Sequence, residues 1–107
     1  MANKKNYDLA FSIFDEILEK CPHFEEAFIN KCHFLYMLKK DDEILELSQK
    51  FLHDNPNSPS AFDIPAFIYL QQEEYDKALD CVNKALELNQ DREIAKGIKK
   101  DILERIG

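Results

Sequence analysis

Residues 25–58 read EEAFINKCHFLYMLKKDDEILELSQKFLHDNPNS, and residues 59–92 continue PSAFDIPAFIYLQQEEYDKALDCVNKALELNQDR. Set one above the other, Ala27 falls on Ala61 and Phe28 on Phe62, 34 positions apart, and upstream Pro22 stands at the same interval from Pro56. Each row holds two helical patterns joined by a polar break, KKDDE in the first and QQEEYD in the second, and ends in turn formers, NPNS and NQDR. A fixed period of this size marks a repeat architecture, in which one supersecondary unit stacks on the next.

Helical periodicity runs through each half-row. Phe28, Cys32, Leu35 and Leu38 form one stripe, and Ile44, Leu47, Phe51 and Leu52 another. In the second row the stripes are Phe62, Ala66, Tyr69 and Leu70, then Ala78, Val82, Ala85 and Leu86. Ser58-Pro59 reads as an N-cap followed by a first-turn proline. Outside the two rows the phase continues. NYDLAFSIFDEILEKCPHF matches EYDKALDCVNKALELNQDR, with Tyr7 on Tyr75, Asp8 on Asp76, Ala10 on Ala78 and Leu18 on Leu86. EIAKGIKKDILERIG opens a further row with Ala95 in register with Ala61. The spacing predicts six helices over 6–20, 25–38, 42–54, 59–72, 75–89 and 92–106.

Composition agrees. The 107 residues fit one domain, and with only 2 glycines there is little turn material for an all-β fold. A net charge of -7 repels a polyanion, and the basic doublets Lys39-Lys40 and Lys99-Lys100 read as solvated helix ends, so no nucleic-acid partner is expected. No run of about 20 apolar residues offers a membrane span, and MANKKNYD leads into no signal-peptide core. Cys21, Cys32 and Cys81 are odd in number and form no CxxC, which fits free thiols in a reducing cytoplasm.

A 34-residue helix–turn–helix unit resembles the tetratricopeptide repeat, with its aromatic, small-residue and proline positions at fixed offsets. In the second row those positions hold Phe62, Pro65, Ala66, Tyr69, Ala78, Val82, Ala85 and Gln90; in the first, Phe28, Lys31, Cys32, Leu35, Ile44, Ser48, Phe51 and Pro56. The first row departs further. Ile44 and Phe51 replace small residues while Ser48 replaces a large one, a volume exchange that keeps a core filled. The resemblance implies an all-α fold: a short right-handed α-solenoid of antiparallel helix pairs in a single domain over 1–107. It comprises a half unit at 6–24, units at 25–58 and 59–92, and a capping helix at 92–106. The recurring Pro and Ala-Phe then mark one recurring joint. Proline ends a helix, Ala admits the next closely and Phe anchors it.

No nucleophile motif, phosphate loop or zinc spacing occurs. Cys21, His23, Cys32 and His33 hold potential metal donors, but the first two read as a turn and the last two point about 100° apart on a helix. The acidic pairs, such as Asp41-Asp42 and Glu73-Glu74, read as helix starts and solvent faces. No enzyme activity, metal or cofactor is expected. The resemblance implies instead a protein–protein interaction module whose first helices line a concave groove for a peptide or helix. By position that groove takes Ile29, Asn30, His33, Tyr36 and Met37 from the first unit and Asp63, Phe67 and Leu70 from the second. Asn30 fits one place of the family's clamp for chaperone C-terminal carboxylates, but Ile29, His33 and Asp63 hold its basic places, so that ligand is not expected.

The two ends differ. The last helix carries Ile94, Ile98, Ile102 and Ile106 as a single stripe with polar residues elsewhere, as a cap requires. The first is apolar around much of its circumference. Ala10, Phe14 and Ile17 are expected to form a face needing cover, by a preceding repeat if the chain is a piece of a longer array, by a second copy in a homodimer, or by a tilt of the helix. Pro65, within the fourth pattern, implies a late helix start with Asp63 as cap, or a bend.

Overall fold

The computed structural model describes residues 4–107, with side chains from Tyr7 onward. The described residues form six helices and no strand: α1 Lys4–Lys20, α2 Glu25–Met37, α3 Asp41–Asp54, α4 Ser60–Gln71, α5 Tyr75–Leu88 and α6 Glu93–Ile106. The fold is all-α, as the periodicity predicts. By contacts the chain divides into two compact units, Met1–Asn55 and Pro56–Gly107.

The turn after α2 and the turn after α4 are the same device. Lys39 and Glu73 adopt left-handed backbone, at φ 60° and 62°. The Lys40 N–H donates back to the Leu35 carbonyl (2.9 Å) and that of Lys39 to Tyr36 (3.0 Å); Glu74 and Glu73 repeat this onto Tyr69 and Leu70. This paired closure satisfies the last helical carbonyls and turns the chain sharply into the next helix. The polar breaks KKDDE and QQEEYD are therefore ordered joints.

In the first unit α2 packs against both α1 and α3. Phe28 and Phe51 stack face to face, their centroids 4.3 Å apart and planes 6° from parallel. Ile44 and Ser48 of α3 are buried as well, so the exchanged large and small side chains both lie out of water. Asn55 ties the end of α3 to the α1–α2 turn: its Nδ2 donates to the Pro22 carbonyl at 2.9 Å and to that of Phe51 at 3.1 Å, and its Oδ1 meets His23 Nδ1.

In the second unit α5 packs between α4 and α6. Ala66, Leu70, Ala78, Val82, Ala85, Ala95 and Ile102 make its core, and the small side chains let the helix backbones approach closely. Arg92 fastens the start of α6 to α4. Its Nε donates to Asp63 Oδ2 and its Nη2 to Ser60 Oγ at 2.9 Å. The Asp63 side chain is only 4% exposed, so this pair is of the kind whose disruption costs about 3 kcal/mol, against almost nothing for the exposed Lys77–Glu74 pair.

Two local expectations are corrected here. Ser58 does not cap α4 with its hydroxyl, which is buried without a hydrogen-bond partner among the described residues. Instead Pro59, already helical at φ -62° and ψ -34°, accepts the first bonds through its carbonyl, from Phe62 at 3.0 Å and Asp63 at 2.9 Å. The helix therefore does not start late: Pro65 lies inside it, where it has no N–H to donate to the Ala61 carbonyl.

Candidate functional site

Two surfaces, one in each unit, carry the residues that the repeat phase nominates. On α2 the core takes Ala27, Phe28, Cys32 and Leu35. At 100° per residue this leaves Ile29, Asn30, His33, Tyr36 and Met37 together on the opposite side, and all five are exposed. Ile29 and Tyr36, one heptad apart, are each 39% exposed and Met37 is 51% exposed. The face is thus an apolar strip edged by an amide, an imidazole and Glu26. The His33 ring stands edge-on to Phe34, 6.2 Å between centroids.

On α4 the nominated residues separate. Phe67 is exposed. Leu70 lies in the core among Ala66, Ala78 and Val82, and Asp63 is buried and bonded to Arg92. Helical phase places Leu70 and Asp63 near Phe67, but the inward limit of the face depends on where α5 and α6 pack, which phase does not contain.

The α1 face divides as well. Tyr7, Phe11 and Phe14 surround Phe34 of α2, with centroid distances of 5.7, 6.5 and 5.6 Å. Phe14, expected to need cover from a tilt of the helix or from outside it, has an aromatic neighbour within the unit, and Ala10 and Ile17 are half-buried. The large apolar residues that α1 leaves exposed are instead Leu9 at 64% and Ile13 at 48%. The last helix corrects a further expectation. Ile98 and Ile102 of its stripe pack inward, whereas Ile94, Leu103 and Ile106 stay exposed, so its outer surface is not polar throughout.

The chemistry of the remaining groups is quiet. No cluster of three or more His, Cys, Asp or Glu among the described residues is arranged to hold a metal ion. No helix among them is long and apolar enough to cross a membrane. Burial pushes the Cys32 thiol up to about 12, only partly opposed by Lys31 and Ser48, so it keeps its proton at neutral pH and is no nucleophile.

Comparison with known proteins agrees with the helix pairing. The family model described as tetratricopeptide repeat matches residues 66–92. No curated protein matches the sequence. Among solved structures, the first TPR domain of the human RPAP3 protein is similar over 96% of this chain and 81% of its own, at 16% identity and a TM-score of 0.81. MamA from Desulfovibrio magneticus RS-1, residues 41 to the end, is similar over 94% of this chain and 66% of its own, at 19% identity and a TM-score of 0.59. A MamA RS-1 double mutant gives 0.60 over the same shares. Domains of this fold are in general protein–protein interaction modules.

Proposed function

From the premise that this chain carries a tetratricopeptide repeat and has the fold built from such repeats, we propose that it binds a peptide or helix of another protein on the outer face of α2. The observation that carries this reading is the convergence of Ile29, Tyr36 and Met37 on one exposed helix side, edged by Asn30 and His33. Apolar side chains held partly in water by a packed helix are the usual anchor of an amphipathic segment, which supplies its own apolar positions at helical spacing. Glu25 and Glu26 at the head of α2 favour a ligand with basic flanks. The reading assigns no catalysis, and three unpaired thiols suit a reducing cytoplasm.

Selection of a displayed peptide library on the protein tests the proposal. Covering three such side chains recovers about 1 kcal/mol each, so Ile29→Asp or Met37→Asp should weaken a selected apolar peptide at least tenfold. Amide shifts on titration should centre on 29–37. Peptides that bind both variants as well as the parent, or shift other helices, would overturn it.

A second reading is favoured by the exposure of Leu9 and Ile13: the protein assembles with itself through α1.

A further inference from the structure

The outer face of α6 is apolar and basic together. Leu86 of α5 with Lys96, Lys99, Lys100, Leu103 and Glu104 lines a depression of about 600 Å³. Leu103 is 48% exposed, and the Lys96 side chain is also 48% exposed. In a chain of net charge -7 this cluster of lysines around an exposed leucine selects an acidic, apolar occupant.

The second unit contains its own template for that occupant. There α5 lies against α4, with Lys77 Nζ 5.7 Å from the Tyr69 ring centre and Lys84 Nζ 6.0 Å from that of Phe62. By the 34-residue phase, α6 stands in the register of α4: Leu103 takes the place of Tyr69, and Lys96 that of Phe62. By the same phase α1 stands in the register of α5: Leu9 takes the place of Lys77, Ile13 that of Cys81, and Glu16 that of Lys84. Each cation-on-ring contact of the α4–α5 pair thus has a complementary counterpart. Lys77 on Tyr69 becomes leucine on leucine, and Lys84 on Phe62 becomes carboxylate on ammonium. All the residues concerned are exposed: Leu9 at 64%, Ile13 at 48% and the Glu16 side chain at 65%.

Resting on the reading of α1 as a self-association element, we infer that α1 of one copy docks on the outer face of α6 of another. Leu9 and Ile13 cover Leu103, and Glu16 faces Lys96. The contact is heterologous, so every copy keeps one donor helix and one acceptor face, and assembly propagates head to tail. The local pairs that Glu16 and Lys96 make within their own helices, to Lys20 at 3.0 Å and to Glu93 at 3.9 Å, are exposed and cost little to exchange. Lys100 stands where α4 has the buried Ala66, so the long side chain must extend outward past Ala10, and the contact is looser than its template. Reversible, concentration-dependent association follows.

Light scattering across a concentration series tests this with two surface variants, Ile13→Glu for the donor and Leu103→Glu for the acceptor, each first checked for native helicity. The parent mass should climb past twice the monomer. Each variant alone should stay monomeric, and their equimolar mixture should stop at twice the monomer mass, because one intact donor and one intact acceptor remain. Glu16→Lys should weaken association at least fivefold, and Lys96→Glu in the same chain should restore it. A parent that is monomeric at every concentration overturns both this inference and the α1 reading. Association lost in Ile13→Glu but kept in Leu103→Glu overturns the inference and leaves α1 as a symmetric interface. A mixture that stays monomeric overturns it equally.

Discussion

At the scale of single residues, burial and pairing decide chemistry more than residue type does. The three cysteines differ by environment alone: Cys21 is exposed, Cys81 half-buried and Cys32 buried. Cys32 is pushed from 9.0 up to about 12 by desolvation, which lowers its thiolate fraction near neutral pH by about a thousandfold. Thiol titration of the native protein at pH 8 should therefore modify Cys21 first and Cys32 only after unfolding. The sign of the linked stability follows. Between pH 9 and 12 the unfolded thiol loses its proton while the folded one keeps it, so Cys32 favours unfolding as the pH rises through that window and contributes nothing below it. Replacement by Val should flatten that part of the alkaline melting curve, and an unchanged slope would contradict the burial argument. The sequence places Cys32 on an apolar stripe and so reads its burial correctly. Arg92 and Asp63, separated by 29 positions, show no mark of their pairing in the sequence.

At the scale of elements, the chain is economical with glycine and uses it where the backbone does not ask for it. Lys39 and Glu73 hold left-handed conformations that cost a side chain about 1 kcal/mol, while Gly97 sits inside α6 where an added methyl group would meet no atom within 4 Å. Lys39→Gly should raise stability by about 0.5–1 kcal/mol, and Gly97→Ala by a similar amount, both measured by urea denaturation. The opposite preference at either site would mean that these backbone assignments are wrong. The six helices were legible within about two residues because apolar spacing reports the helical period directly. The two left-handed joints were legible only as polar breaks. Neither carries the glycine that advertises such a turn, and the backbone bonds that close them leave no pattern in side chains.

At the scale of the molecule, the two units differ in how their helices are covered. In the second, Ala78, Val82 and Ala85 of α5 are fully buried, whereas α1 in the first has no buried residue among its described side chains. Native-state hydrogen exchange should be slowest along α5 and fastest along α1, because protection follows the free energy of opening and that follows buried contact. If α1 docks on a second copy as proposed, raising the protein concentration should slow exchange along α1 selectively. Equal protection of α1 and α5 at low concentration would show that exposure does not govern opening here.

The sequence by itself determined the repeat, its period and the helices, since these follow from backbone geometry and from short-range spacing of apolar residues. It also placed Ile29, Asn30, His33, Tyr36 and Met37 on one outer face of α2. Tertiary structure alone decided where such a face stops. It drew Leu70 into the core and Asp63 into a bond with Arg92, covered Phe14 with Phe34, and left Leu9, Ile13 and Leu103 in water. A helical pattern fixes the angle at which a side chain leaves its own helix. Which neighbour meets it depends on packing between helices, and that is set by the volumes of residues distant in the chain.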